Sequence, residues 1–143
     1  MRVVLDTNIL VSALLKPQSI PARVLDYVIS GQATLLIDHR ILEEYRDVLR
    51  RPKFGFDEML VDDLIAFLDR FGEYVLAEPF HFKMKDEDDL PFVEVSICGK
   101  ADALVTGNAK DFSVMSSVAS LRPRVLTASQ FLEEMKARES RPL

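Results

Sequence analysis

The chain alternates short apolar runs with longer stretches in which apolar residues recur at helical spacing. The short runs predict five strands, at residues 2–5, 33–37, 74–77, 103–106 and 125–126. The first run continues without polar alternation after Arg2, which is typical of a strand buried on both faces. Strands that alternate with helices predict an α/β fold with a parallel, roughly five-stranded sheet and helices on both of its faces.

Residues that start or stop helices mark six helical segments. The first covers residues 8–15, and the second begins after the capping residue Ser19 and ends at Gly31. The third covers residues 38–51 and the fourth residues 57–71. A fifth follows the acidic run at 86–89 and ends at Gly99. Thr127 and Gln130 form a capping-box pattern at the start of a C-terminal helix. Residues 81–85 are expected to form a polar loop, and residues 139–143 a frayed tail.

The composition is that of an ordinary soluble globular protein, since 48% of the 143 residues are hydrophobic and 29% are charged. This length predicts one domain over residues 1–143. No apolar stretch is long enough to cross a bilayer and no signal-peptide pattern is present, so a cytoplasmic location without membrane association is expected. Cys98 is the only cysteine, which excludes an internal disulfide and a cysteine-based zinc site.

The formal net charge of −5 argues against a general electrostatic attraction to nucleic acid. It leaves open a nuclease whose acids surround a metal ion and whose basic residues lie elsewhere. The densest basic stretch contains Arg46, Arg50, Arg51 and Lys53. Two interpretations apply to it: a solvated helix face with ion pairs, or a contact with a nucleic-acid backbone.

Polar residues follow the first and the fourth predicted strands at once. Asp6 and Asn8 come after the first strand, and Thr106 and Asn108 come at the end of the fourth. In an open parallel sheet, ligands bind outside the carboxyl ends of the strands. A buried carboxylate is costly on its own, so a bound cation or a hydrogen-bonded turn is expected at Asp6. The alternatives are that Asp6 or Asn8 caps the following helix, and that Asn108 belongs to an ordinary turn.

Two further groups of acids lie near predicted helix starts. At about 100° per residue, Glu44 falls at the edge of the apolar stripe of its helix, roughly 110° from the centre, whereas Glu43 falls about 150° away and faces solvent. An edge position can reach a crevice, although Glu44 could also form an ordinary surface ion pair. In the run at 86–89, one acid is enough to cap the helix. Four neighbouring carboxylates repel one another, and a multivalent cation would relieve that repulsion.

Several segments together resemble the PIN-domain family, in the branch of VapC-like toxins from toxin–antitoxin pairs. They are VVLDTNILVSALL, ILEEYRDVLRRPKF, DEDDLPFVEVSICGKADALVTGNAKDF and RVLTASQFLEE, in this order along nearly the whole chain. The resemblance implies a three-layer α/β/α sandwich. It also implies an acidic cluster that binds Mg²⁺ or Mn²⁺ and hydrolyses RNA, with a small antitoxin protein and a second copy of the chain as partners.

Carried over by position, the resemblance assigns the metal-binding acids to Asp6, Glu44 and Asp89. It assigns Asn8 and Thr106 to orienting this cluster. The family's fourth acid usually stands two residues after the threonine, where this chain has the neutral Asn108. Asp111, one turn further on, is the other candidate for that role.

Three other functions remain compatible with the sequence. One is a catalytically weak or inactive PIN domain that serves as an RNA-binding or protein-interaction module, which Asn108 favours. Another is a phosphatase of the haloacid-dehalogenase type, although that class requires a second aspartate where this chain has Asn8. The third is a structural α/β domain whose acids all cap helices.

Overall fold

Five parallel strands form the centre of the protein, as the sequence predicts. In the computed structural model, which describes residues 1–79, 84, 86–117 and 123–140, they are β1 (Arg2–Leu5), β2 (Thr34–Ile37), β3 (Glu73–Tyr74), β4 (Ala103–Val105) and β5 (Arg124–Leu126). Their order across the sheet is β3-β2-β1-β4-β5. The central β1 pairs with β2 on one side and with β4 on the other, and Val3 is aligned with both Leu35 and Ala103.

Helices cover both faces of the sheet and give the α/β/α sandwich that the sequence predicts. Their bounds are α1 (Thr7–Leu15), α2 (Ile20–Ile29), α3 (His39–Leu49), α4 (Glu58–Phe71), α5 (Leu90–Cys98) and α6 (Ala128–Glu139). Ser19, Asp38 and Asp57 each accept a capping hydrogen bond from a backbone N–H in the first turn. Thr127 and Gln130 form both bonds of the predicted capping box. None of these helices is both long and apolar enough to cross a bilayer.

The carboxyl end of the buried β1 lies beside the carboxyl end of β4. Val3, Val4 and Leu5 are fully buried, so a continuous apolar run is the pattern that this position requires. Because β1 and β4 are adjacent and parallel, the residues that follow them leave the sheet at the same edge. The hydroxyl of Tyr45 on α3 donates to the carbonyl of Leu5 at 2.6 Å, which ties α3 to this end of β1.

The structure differs from the predicted elements in several places. The strand predicted at 74–77 is limited to Glu73–Tyr74 at the edge of the sheet, and Leu76 beyond it is 95% exposed. Short 3-10 segments that the pattern did not predict occur at Pro52–Phe54, Glu87–Asp89 and Ala109–Ser117. Helix α6 ends at Glu139, the first residue of the predicted frayed tail, and the fraying of that tail stays a prediction. Of the expected loop at 81–85 only Met84 is described, and residues 141–143 also lie outside the described residues.

Candidate active site

Asp6 directly follows β1 and is 6% exposed. It occupies the N-cap position of α1, yet its side chain makes no capping hydrogen bond, so capping does not explain the buried carboxylate. Oδ2 of Asp6 instead accepts a hydrogen bond from the Thr106 hydroxyl at 2.7 Å. Burial raises the pKa of Asp6 above its ordinary value, and the bond from Thr106 opposes that rise.

Thr106 joins the ends of β1 and β4. It is fully buried, and its hydroxyl accepts a hydrogen bond from the backbone N–H of Asn108 at 3.0 Å while it donates to Asp6. The side chains that follow the two strands are therefore neighbours, as the parallel arrangement predicts. Asn108 itself is exposed, and so is Asn8 in the first turn of α1.

Glu44 reaches the same edge of the sheet from α3. It is half-buried, and its Oε2 accepts a hydrogen bond from the hydroxyl of the buried Thr7, the residue after Asp6. Burial raises the pKa of Glu44, the bond from Thr7 opposes this rise, and the charge of Asp6 adds to it. Glu43 is exposed and pairs with Arg46 in the next turn, so the helical periodicity distinguished the two glutamates correctly.

Two residues of the acidic run at 86–89 differ in whether they cap a helix. Asp86 accepts the backbone N–H of Asp88 at 2.9 Å and caps the 3-10 segment. Asp89 stands at the N-cap position of α5, but its side chain makes no capping bond. Burial raises the pKa of Asp89 to about 7, and the negative charges of Asp6, Asp86, Asp111 and Glu44 contribute to this rise. The side chain of Asp89 thus lies within electrostatic reach of both other predicted acids.

Asp111 belongs to the same group of charges. It lies in the first turn of the segment Ala109–Ser117, and its charge raises the pKa of both Asp6 and Asp89. Of the two candidates for the fourth acid, Asp111 is therefore the one that brings a carboxylate near the cluster. Sequence spacing named this residue as a candidate but did not favour it over Asn108.

The chemistry of these residues suits a hard divalent cation. All the acids offer oxygen ligands, which Mg²⁺ and Mn²⁺ prefer, and a cation would offset the repulsion that raises their pKa values. Among the residues that the structure describes, no three acidic, histidine or cysteine side chains are arranged as ligands of one ion. Asp6, Glu44 and Asp89 thus act on one another electrostatically, but they do not form a ligand set as their side chains stand.

A polar groove of about 350 Å³ runs beside the cluster, between α3 and the start of α5. Its lining includes Arg40, Glu44, Asp47, Arg51, Asp88 and Phe92. The basic stretch at the end of α3 is mostly ion-paired, since Arg46 pairs with Glu43, Arg50 with Asp62 and Arg51 with Asp47. This arrangement agrees with the solvated, ion-paired interpretation of those arginines.

Comparison with known proteins identifies the class of the protein. The family model for the PIN domain matches residues 2–110, so the chain belongs to the PIN-domain family. Proteins of this family are in general nucleases. This assignment removes the phosphatase interpretation, which rested on the aspartate after the first strand alone.

Two particular proteins show similarity over most of their length. The chain is 28% identical, over 146 aligned positions, to the uncharacterized protein MJ1680 of Methanocaldococcus jannaschii, covering 94% of this chain and 92% of that protein. It is also similar to a chain in the structure of VapBC-1 from nontypeable Haemophilus influenzae, with a TM-score of 0.55 and 17% identity over 87% of this chain and 98% of that one. The second likeness shows that the two chains share a fold.

Proposed function

We propose that the protein is a divalent-metal-dependent endoribonuclease that hydrolyses RNA phosphodiester bonds at the acidic cluster. The observation that carries this proposal is that Asp6 and Asp89 both stand at helix N-cap positions and neither one caps its helix. The charge of Asp6 instead raises the pKa of Asp89. Carboxylates that destabilise one another's charged forms, at the edge of a parallel sheet where ligands bind, support a cation-binding function.

In this proposal Asp6, Glu44 and Asp89 hold the ion. The Thr106 hydroxyl orients the carboxylate of Asp6, and the Thr7 hydroxyl orients that of Glu44. Asn8 and Asn108, exposed at the same edge, complete the polar surroundings. Asp111 supplies the charge that the neutral Asn108 lacks.

A bound Mg²⁺ or Mn²⁺ would supply a coordinated water of lowered pKa and a positive charge opposite the phosphate. The chain's own residues account for the remaining requirements. The hydrogen bonds that Thr106 donates to Asp6 and Thr7 donates to Glu44 hold two carboxylates in fixed orientations. Asp89 would bind the ion as a carboxylate, so its pKa of about 7 in the metal-free protein means that the ion competes with a proton near neutral pH.

We further propose that the chain is the toxin component of a toxin–antitoxin pair and binds a small antitoxin protein. The similarity to a chain of VapBC-1 supports this assignment at the level of the fold. RNA as substrate, the antitoxin and a homodimer stay predictions from the family resemblance. The expected cytoplasmic location also stays a prediction.

A second candidate function is a catalytically weak PIN domain that binds RNA or a protein partner. The observation that favours it is the neutral, exposed side chain of Asn108 at the position of the fourth acid. The two functions differ in whether a divalent cation makes the protein cleave RNA.

The decisive experiment measures cleavage of a long single-stranded RNA by the purified protein with EDTA, with Mg²⁺ and with Mn²⁺. We expect cleavage only with a divalent cation, and we expect Asp6→Asn to reduce it to background because the buried ligand loses its charge. Asp57→Asn is the matched control: Asp57 is exposed and caps α4, and Asn is an equally good capping residue. The nuclease assignment is refuted if Asp6→Asn cleaves RNA as fast as Asp57→Asn does.

A further inference from the structure

An ion pair between α3 and α5 lies close to the acidic cluster without belonging to it. Nη1 of Arg40 donates to Oε1 of Glu94 at 2.6 Å. Glu94 is only 2% exposed, whereas the Arg40 side chain is 47% exposed. A buried carboxylate requires a charged or hydrogen-bonding partner, and Arg40 supplies that charge.

Arg40 is held in place from the other side by Asp38, the residue between β2 and α3. Its Nε and Nη2 donate to Oδ2 of Asp38 at 2.9 and 2.7 Å. Oδ1 of Asp38 accepts the N–H of Ile41 at 3.0 Å and so caps α3. The guanidinium therefore joins the capped start of α3 to the middle of α5 through three charged hydrogen bonds.

Two of the proposed metal ligands belong to these elements, Glu44 on α3 and Asp89 at the N-cap of α5. Glu44 lies four residues after Arg40 and thus on the same face of α3, one turn further along. Asp89 lies five residues before Glu94, about 7.5 Å along the helix axis. Arg40 and Glu44 line the same groove, together with Phe92 of α5. The rings of Tyr45 and Phe92 pack between the helices, with centroids 6.3 Å apart.

We infer that Arg40 and Glu94 are positioning residues whose ion pair fixes α3 against α5 and thereby sets the separation of Glu44 from Asp89. Buried ion pairs are poor sources of net stability, but they can select one arrangement of the elements that they join. The inference rests on the proposed function, since it assigns to the pair the spacing of the proposed metal ligands.

The test compares Mn²⁺ binding by calorimetry, without RNA, for the full chain and four variants. Arg40→Ala removes one partner, and the double variant Arg40→Met with Glu94→Gln removes both charges at similar volume. Arg40→Lys keeps a cation but not the planar fork that joins Asp38 to Glu94. Arg124→Ala is the matched control: Nη2 of Arg124 donates to Oε2 of Glu134 at 2.7 Å, and this pair joins β5 to α6 at the amino end of the strands, opposite the cluster.

We expect Arg40→Ala and the double variant to weaken Mn²⁺ binding by about 10-fold or more, the usual loss when residues that orient metal ligands are removed. Arg40→Lys should lose less, and Arg124→Ala should bind within about twofold of the parent protein. Urea unfolding at the same temperature verifies that each variant is folded. A nuclear Overhauser contact between the Tyr45 and Phe92 rings, measured without metal, should weaken in the first two variants only.

The outcomes separate this inference from the proposed function. If the parent protein binds no Mn²⁺, the proposed function fails and the inference fails with it. If the parent protein binds Mn²⁺ and the double variant binds it equally well with the ring contact unchanged, the inference alone is overturned. A lower urea midpoint without weaker Mn²⁺ binding also overturns it, because the pair would then be purely structural.

Discussion

Replacing Asp89 with Asn should stabilise the metal-free protein at alkaline pH. Asn has nearly the same shape as Asp and is equally suited to the N-cap position that residue 89 occupies. Burial and the charges of neighbouring acids raise the pKa of Asp89 to about 7. Above that pH the folded protein carries a carboxylate in surroundings that disfavour its charge, and the substitution removes this charge.

The magnitude follows from the difference between the ordinary pKa of 3.8 and the folded value of about 7. At 1.36 kcal/mol per pKa unit, this difference corresponds to about 4 kcal/mol. Asp89 is only partly buried, so solvent screening reduces the expected effect to about 2 kcal/mol. The folded state binds this proton more tightly than the unfolded state, so stability is lost as the pH rises from about 4 through about 7. Below pH 4 the residue is neutral in both states and the effect disappears.

Urea unfolding in EDTA at pH 8 and pH 5 measures this effect. At pH 8 we expect Asp89→Asn to be more stable than the parent protein by about 2 kcal/mol, and at pH 5 the difference should shrink by more than half. Glu87→Gln, an exposed change in the same acidic run, should stay within about 0.5 kcal/mol at both pH values. With Mn²⁺ the order should reverse, because the ion stabilises only the protein that binds it. A variant that is less stable than the parent protein at pH 8, or a difference independent of pH, refutes the reasoning.

Two further substitutions test individual contacts. Thr7→Val keeps the shape of a buried residue but removes the hydroxyl that donates to Glu44, so RNA cleavage should fall about 10-fold, whereas Thr7→Ser should retain most of the activity. Equal cleavage by the Val and Ser variants would show that this hydrogen bond does not matter. Gly72→Ala should lower the free energy of unfolding by about 1–3 kcal/mol in urea, because its Cβ would lie 2.5 Å from the Leu68 carbonyl and 2.7 Å from Ile37. Gly107→Ala, with nothing within 4 Å of the added carbon, is the control, and equal losses at both positions would contradict this explanation.

The sequence predicts the central elements well because their burial imposes a simple pattern. β1 is enclosed by β2, β4 and the helices on both faces, and only a continuous apolar run satisfies such a position. Helix starts are equally visible, since a capping residue such as Asp38 performs a local task that needs no distant partner. The length of β3, in contrast, cannot be predicted from the sequence in this way. Among the described residues it pairs with β2 alone, as an edge strand does, and nothing in its own sequence determines where that pairing ends.

In the candidate site too, local features can be predicted from the sequence and long-range contacts cannot. Periodicity separates Glu44 from Glu43, because the side on which a helix residue lies is a local property. The hydrogen bond from Thr7 to Glu44 joins residues 37 positions apart, and it depends on how α3 packs beside α1. The residues next to Thr7 or Glu44 in the sequence do not indicate such a long-range contact.

Asp111 shows why a position-by-position comparison with the family undercounts the charge of the cluster. The residue two places after Thr106 is neutral, which by itself indicates one negative charge fewer. After Asn108, however, the chain folds back: its carbonyl accepts the N–H of Asp111 at 3.0 Å, and the 3-10 segment that the pattern did not predict follows. This turn brings the charge of Asp111 close enough to raise the pKa of both Asp6 and Asp89. A negative charge thus acts on Asp6 and Asp89 although Asn108 is neutral, which makes the neutrality of Asn108 weak evidence for an inactive protein.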